Sequence, residues 1–169
     1  TRLPRAIRDV YKRQVNTLSK DKNAAFDFCE AEYYLAYKDD KLVGRVAAIV
    51  NHRANERWNT KDVRFGWIDF VDDLEVSGAL LAAVENFGKQ KGMTHIVGPL
   101  GFTDMDREGM LTWGFDRMST IATLYNYEYY PRHIEQLGGW KEDVSYVEYL
   151  IPIPDKVPEK LLSLSEMIQ

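Results

Sequence analysis

Residues 32–38 (EYYLAYK) and 42–51 (LVGRVAAIVN) are two runs of β-branched, aromatic and small apolar residues, separated by Asp39-Asp40-Lys41. Short polar turns of this kind join antiparallel strands, so the pair predicts a hairpin. A polar stretch, NHRANERWNTKD, reads as a loop, and 63–71 (VRFGWIDFV) reads as a third strand. The period then changes. In DDLEVSGALLAAVENFGKQKGM, Val76, Leu80, Ala83, Val84 and Phe87 recur every three or four residues and make one apolar helical stripe. Acidic residues crowd its start, while Lys89, Lys91 and Gly92 mark its end. Residues 94–98 (THIVG) read as a short buried strand, and strand–helix–strand predicts a parallel crossover.

The stretch from 99 to 129 is less regular: a loop, a short helix over 106–113 and a strand over 120–125. Residues 130–137 (YPRHIEQL) predict a helix stopped by Gly138-Gly139, and 143–151 (DVSYVEYLI) predicts another strand. In this reading one domain spans 15–153. Residues 154–169 are a proline-bearing linker and the start of a truncated following helix.

The first fourteen residues, TRLPRAIRDVYKRQ, have a different character. They hold five basic residues and one acidic residue, out of 22 and 26 in the chain, which leaves the rest with 17 and 25. A basic arm on an acidic domain suggests a nucleic-acid or membrane contact. DVYKRQ, however, matches codon for codon the translated transposase end of sequencing adapters, so 1–14 is read as a non-native scar. Without it the chain is acidic, which excludes non-specific nucleic-acid binding through clustered Lys and Arg. No apolar run approaches the ~20 residues of a membrane span. One cysteine, Cys29, gives neither a disulfide framework nor a thiolate metal cluster. The expectation is a cytoplasmic protein with no metal, nucleic-acid or membrane partner.

The chemistry-bearing residues follow from this layout. Strict alternation puts Val63, Phe65, Trp67, Asp69 and Val71 on one face, and Val43, Arg45, Ala47 and Ile49 on one face of the preceding strand. Asp69 is then either a desolvated carboxylate suited to a general base or one half of a buried salt bridge with Arg45. GPLGFTDMD follows the short strand at a carboxyl edge, where open α/β sheets gather ligands. Gly98 and Gly101 allow close backbone approach there, and Thr103, Asp104, Tyr125 and Asn126 are candidate substrate contacts. Asp104-x-Asp106 lacks the further oxygens and later Glu of a calcium loop. His52 reads as a loop residue and His95 as a satisfied core histidine; no metal spacing joins them to His133.

The order of hairpin, strand, helix, strand, helix and strand resembles the GNAT (Gcn5-related) acyltransferase fold, a mixed, mostly antiparallel sheet flanked by helices. NAAFDFCEAEYYLAYKDDKLVGRVAAIVN, GWIDFVDDLEVSGALLAAVENFGKQKGMTHIVGPLGFTD and YNYEYYPRHIEQLGGWKE are similar to a bacterial family of GNAT-like proteins about twice this length. The resemblance implies the first of two GNAT-like halves of an acyl-CoA-dependent N-acyltransferase acting on a small-molecule amine. Its own first strand and helix would be missing, and the second half would follow in the same polypeptide. A non-catalytic module that scaffolds a second catalytic domain or binds a small molecule is the alternative.

The resemblance also implies an acetyl-CoA pyrophosphate loop at the start of the long helix. Here that position reads Asp72-Asp73-Leu74-Glu75-Val76-Ser77, leaving Ser77 and Gly78 to hold the cofactor. Its carboxylates are good helix N-terminal residues and repel phosphate. The tyrosine that such enzymes use as an acid falls at Ile134, so Tyr129 or Tyr130, one turn earlier, would have to replace it. Asp69 and Tyr130 are therefore the candidate catalytic residues.

Overall fold

The computed structural model describes residues 15–118 and 124–152, together with 156 and 163. The scar reading of 1–14, and nearly all of the tail reading of 154–169, lie outside the described residues.

A four-stranded sheet in the order β1-β2-β3-β4 organises the domain. Strands β1 (Cys29–Lys38) and β2 (Lys41–Asn51) form the expected hairpin. Asp39 and Asp40 close it with φ of 50° and 61°. Two positive φ values make the turn whose twist matches its strands, and Asp tolerates them better than most residues. β3 (Asp62–Phe70) pairs antiparallel with β2, and β4 (His95–Val97) pairs parallel with β3. The sheet is thus mixed and mostly antiparallel.

The polar NHRANERW stretch is helical rather than a loop: α1 spans His52–Trp58. Asn51 caps it by accepting the Ala54 N–H, and Asn59 ends it in the left-handed region at φ 53°. Capping by Asn at both ends gives a short helix without an apolar stripe, the signal that periodicity cannot detect. The long helix α2 runs over Leu74–Gln90 with Asp73 as its N-cap. It buries Val76, Leu80, Leu81, Val84 and Phe87. α3 (Tyr129–Leu137) follows a long irregular stretch.

Two apolar layers sandwich the sheet. On one face α2 and Tyr130 of α3 pack over Val46, Ala48, Val50, Val63, Phe65 and Phe70. On the other, Ala25 and Phe102 pack with Cys29, Ala31, Ala47 and Ile49.

Three further expectations are corrected. Residues 106–113 are irregular rather than helical. Their hydrogen bonds run to distant partners, as in Gly109 N–H to Pro99 O and Leu111 N–H to Asn126 Oδ1. Residues 143–151 have the alternation of a strand, yet they are irregular and exposed. A strand exists only through pairing, and the described sheet does not pair with them. His95 stands exposed on β4, beside Thr94 Oγ1 at 2.9 Å, rather than in the core. Of the expected 120–125 strand, 119–123 lies outside the described residues, and Leu124 and Tyr125 are irregular.

Candidate functional site

The site is set by one extra residue in β3. Gly66 pairs with Ala47 and Asp69 pairs with Arg45, so Trp67 and Ile68 together face Val46. This is a β-bulge. Trp67 carries it at φ 47°, a conformation that costs a bulky side chain strain. The bulge reverses the alternation. Val63 and Phe65 face α2, and beyond the bulge so does Phe70, while Trp67 turns to the other face against Phe102, with ring centroids 5.5 Å apart.

Asp69 therefore leaves the apolar row to which strict alternation assigned it. It faces Arg45 across the strands, as expected, with Nη2 and Oδ2 3.7 Å apart. The pair is not buried: the two side chains are 58% and 60% exposed. An exposed ion pair at that distance contributes about 0–1 kcal/mol. Asp69 is an open carboxylate rather than half of a core salt bridge.

Tyr130 meets the same carboxylate from the other side. Its O–H donates to Asp69 Oδ1 at 2.5 Å, and its oxygen accepts the Phe70 N–H at 3.3 Å. Its neighbour Tyr129 donates to the Phe70 carbonyl at 2.7 Å. The two phenols thus satisfy both backbone groups of Phe70, as an adjacent strand would. The Tyr130 ring stacks on Phe70, with centroids 4.2 Å apart, and the residue is only 6% exposed. Burial first, then the Asp69 carboxylate it touches, push the Tyr130 phenol well above its ordinary value. Within the protein, Tyr130 thus gives its proton to Asp69 and its lone pair to the Phe70 N–H.

The candidate glycine loop borders this pair. Along the outer side of β3, β4 pairs with Asp62–Arg64, Leu100 N–H donates to the Phe65 carbonyl, and the tyrosines clasp Phe70. The bulge falls between the loop and the tyrosines. The approach is close: a Cβ on Gly66 would lie 2.5 Å from Leu100 O, and one on Gly98 would lie 2.5 Å from Phe65 O. Arg64 Nη1 donates to Gly101 O and Phe102 O at 3.2 and 3.3 Å, and Asn51 Nδ2 donates to Phe102 O at 2.8 Å.

The remaining predicted contacts lie apart from it. Thr103 belongs to a turn in which Asp106 Oδ2 accepts its N–H. Asp104 is exposed in the same turn. An open cavity of about 240 Å³ beside this turn is lined by Asn16, Thr17, Lys22, Asn23, Ala25, Phe102, Thr103 and Asp106, and includes neither Asp69 nor Tyr130. Asn126 fastens the loop through Leu111 and Tyr127, and Tyr125 O–H donates to Phe115 O.

Ser77 and Gly78 do not stand at the mouth of α2. Ser77 is fully buried between α2 and α3, where its Oγ lies 2.9 Å from His133 Nδ1 and 3.1 Å from Leu74 O. A Cβ on Gly78 would meet Leu137 of α3 at 3.2 Å. The helix start itself is filled by the chain's own anions. Asp73 accepts the Glu75 N–H, and Lys38 Nζ donates to Asp73 at 2.7 Å. That bond, foremost, holds the Asp73 carboxyl below its ordinary range. A pyrophosphate does not fit there, because the Asp73 carboxylate already accepts the Glu75 N–H at the positive end of the helix, with Asp72 and Glu75 adding like charge beside it.

Cys29 is buried, and desolvation raises its thiol to about 11, so it is no nucleophile at neutral pH. His52 opens α1 and pairs with Glu30 at 2.8 Å. Among the described residues no group of three or more His, Cys, Asp or Glu is placed to hold a metal ion. None of the described helices is long and apolar enough to cross a membrane.

No family model matches the chain. Over 151 residues, 83% of this chain, it is 30% identical to Protein YghO of Escherichia coli (strain K12). Over 136 residues, 80% of the chain, it is 28% identical to the bacterial ceramide synthase of Caulobacter vibrioides (strain NA1000 / CB15N). The chain spans 39% and 35% of these relatives, well under half of either. A solved structure described as "Putative acetyl transferase from Pyrococcus furiosus" covers 89% of the chain, with 83% of its own length, at a TM-score of 0.46 and 18% identity.

Proposed function

We propose that this chain is one part of an acyl-CoA-dependent N-acyltransferase, a GNAT-like half that supplies the base for amide formation on an amine. The observation that carries the reading is Asp69: an exposed carboxylate just beyond the bulge at Trp67, held from behind by the buried Tyr130 O–H. Amines reach neutral pH as ammonium ions and must lose a proton before nitrogen attacks. In this reading Asp69, with Oδ1 bonded to Tyr130 and Arg45 beside Oδ2, takes that proton, nitrogen attacks the thioester carbonyl, and CoA departs as the thiol. The similarity to a protein named ceramide synthase supports the same bond type, since a ceramide is the amide of a long-chain amine and a fatty acid. In this reading, with the start of α2 filled by Asp73 and Lys38, the phosphates of the donor bind another part of the enzyme, a second GNAT-like half in the same polypeptide.

The test is product detection by mass spectrometry. The longer protein of which this chain is proposed to be part is incubated with short- and long-chain acyl-CoA and a panel of amines, including long-chain amino alcohols. Amide product from one class of acceptor is the expected result, and its absence with every pair removes the reading.

One observation favours a second reading. Asp73 with Lys38, and Asp72 with His133, tie both carboxylates at the start of α2 to the chain's own partners. A domain with that site filled is also suited to be a non-catalytic module that supports a catalytic half. Under that reading, Asp69→Asn leaves the rate of amide formation unchanged, and deleting this part lowers the melting temperature of the remainder.

A further inference from the structure

His133 sits one turn beyond Tyr129 and Tyr130 on α3 and is 5% exposed. Both ring nitrogens are engaged. Nδ1 lies 2.9 Å from Ser77 Oγ on α2, and Nε2 lies 2.9 Å from Asp72 Oδ1 at the end of the β3–α2 connection. A carboxylate only accepts, so the Nε2 proton belongs to the bond with Asp72. The single Ser77 hydroxyl proton then has two acceptors within reach, Nδ1 of the neutral ring at 2.9 Å and Leu74 O at 3.1 Å. The ring face lies against Phe70, with centroids 5.4 Å apart and planes 20° apart, the same ring on which Tyr130 stacks.

Serine, histidine and aspartate in contact suggest a nucleophilic triad, but the geometry excludes one here. Ser77 is fully buried, and its hydroxyl is also within 3.1 Å of its own helix carbonyl, Leu74 O. What the three residues share is a different consequence. They join α3 to the chain that follows Asp69 at two points: to the connection leaving β3 through Asp72, and to the first turn of α2 through Ser77.

We infer that His133 is a positioning residue, whose bonds to Ser77 and Asp72 fix the roll of α3 and thereby hold the Tyr130 hydroxyl on Asp69. A helix on an apolar surface can roll at little cost, because hydrophobic contact is non-directional. Two hydrogen bonds from one ring, on opposite edges, remove that freedom. The same roll places Tyr129 on the Phe70 carbonyl. The catalytic meaning of this device rests on the acyl-transfer reading, whereas its geometry does not.

The experiment therefore reads Tyr130 directly. The chain is labelled with 3-fluorotyrosine, and the Tyr130 resonance is identified by its loss in Tyr130→Phe. Asp72→Ala removes the Nε2 acceptor at an exposed position, and His133→Leu removes both bonds. The expected result is a Tyr130 resonance displaced by more than its line width in both variants, with partial return in His133→Gln. Should His133→Leu fail to fold, Asp72→Ala and Ser77→Ala still decide the point. A Tyr130 resonance unmoved in folded Asp72→Ala and Ser77→Ala would overturn the inference. Because no substrate is present, this outcome is independent of whether amide product is found.

Discussion

At the residue scale, the account turns on Tyr130 and the bulge that brings Asp69 to it. Replacing Tyr130 with Phe keeps the stacked ring but removes a donor to a charged acceptor. Hydrogen bonds to charged groups are worth ~1.5–3 kcal/mol, the loss of stability expected at neutral pH from denaturant unfolding. The difference should narrow in alkali. The folded-state phenol is held above its ordinary value of 10, so the unfolded chain ionises first and stability falls as pH rises past that value. Tyr130→Phe lacks this loss, so its deficit against the parent chain shrinks above pH 10. A gap constant across that range would show that the phenol is not perturbed. Gly66→Ala is the second residue-scale prediction. Its new Cβ would overlap Leu100 O, which is backbone, so the loop must move. Overpacking of this kind costs ~1–3 kcal/mol. Faster hydrogen exchange at the Leu100 N–H, bonded to Phe65 O, would report the displaced loop.

Among elements, those with a strong period were legible and those defined by single residues were not. The hairpin, β3 and α2 follow from alternation and from an apolar stripe, and α3 from its glycine stop. The facing of Arg45 and Asp69 also followed from the hairpin and its next strand. The exposure of that pair did not, because the bulge at Trp67 carries no composition signal and reverses every later side chain of β3. Helix α1 was hidden for a related reason: Asn51 and Asn59 define it, not a buried face. Asn51 offers a test, since its side chain both caps α1 and donates to Phe102 O. Asn51→Ala should cost at least the ~1 kcal/mol of a lost cap, with a lower melting temperature as the readout. Glu30 links β1 to α1 and to the end of α2 through His52 and Lys91. The bond from Lys91, then that from His52, lowers its carboxyl below 4.5. A depressed carboxylate stabilises above its unfolded value and loses that contribution as pH falls through its folded one. The melting temperature should therefore drop with acidification below pH 4.5, and drop less steeply in Glu30→Gln.

For the whole molecule, the sequence resemblance led to the mixed sheet flanked by helices that the structure contains. The resemblance implies Ser77 and Gly78 as the pyrophosphate loop at the start of α2, while the fold turns both toward α3. His133 had no sequence signal, because its partners Ser77 and Asp72 lie 56 and 61 residues away. What the fold brings together is one open carboxylate with a buried phenol behind it, beside a helix start already filled with acid. That arrangement fits a protein in which base and donor site belong to different parts, as the short coverage of both relatives allows. The most direct test is the turnover of Asp69→Asn in the longer protein, with acyl-CoA and the amine that gives product. A positioned base contributes ~10²–10⁴-fold, so kcat should fall within that range while the variant stays folded, its melting temperature lowered only by the weaker bond from Tyr130 to a neutral acceptor. A folded Asp69→Asn that forms amide at the parental rate would contradict the account.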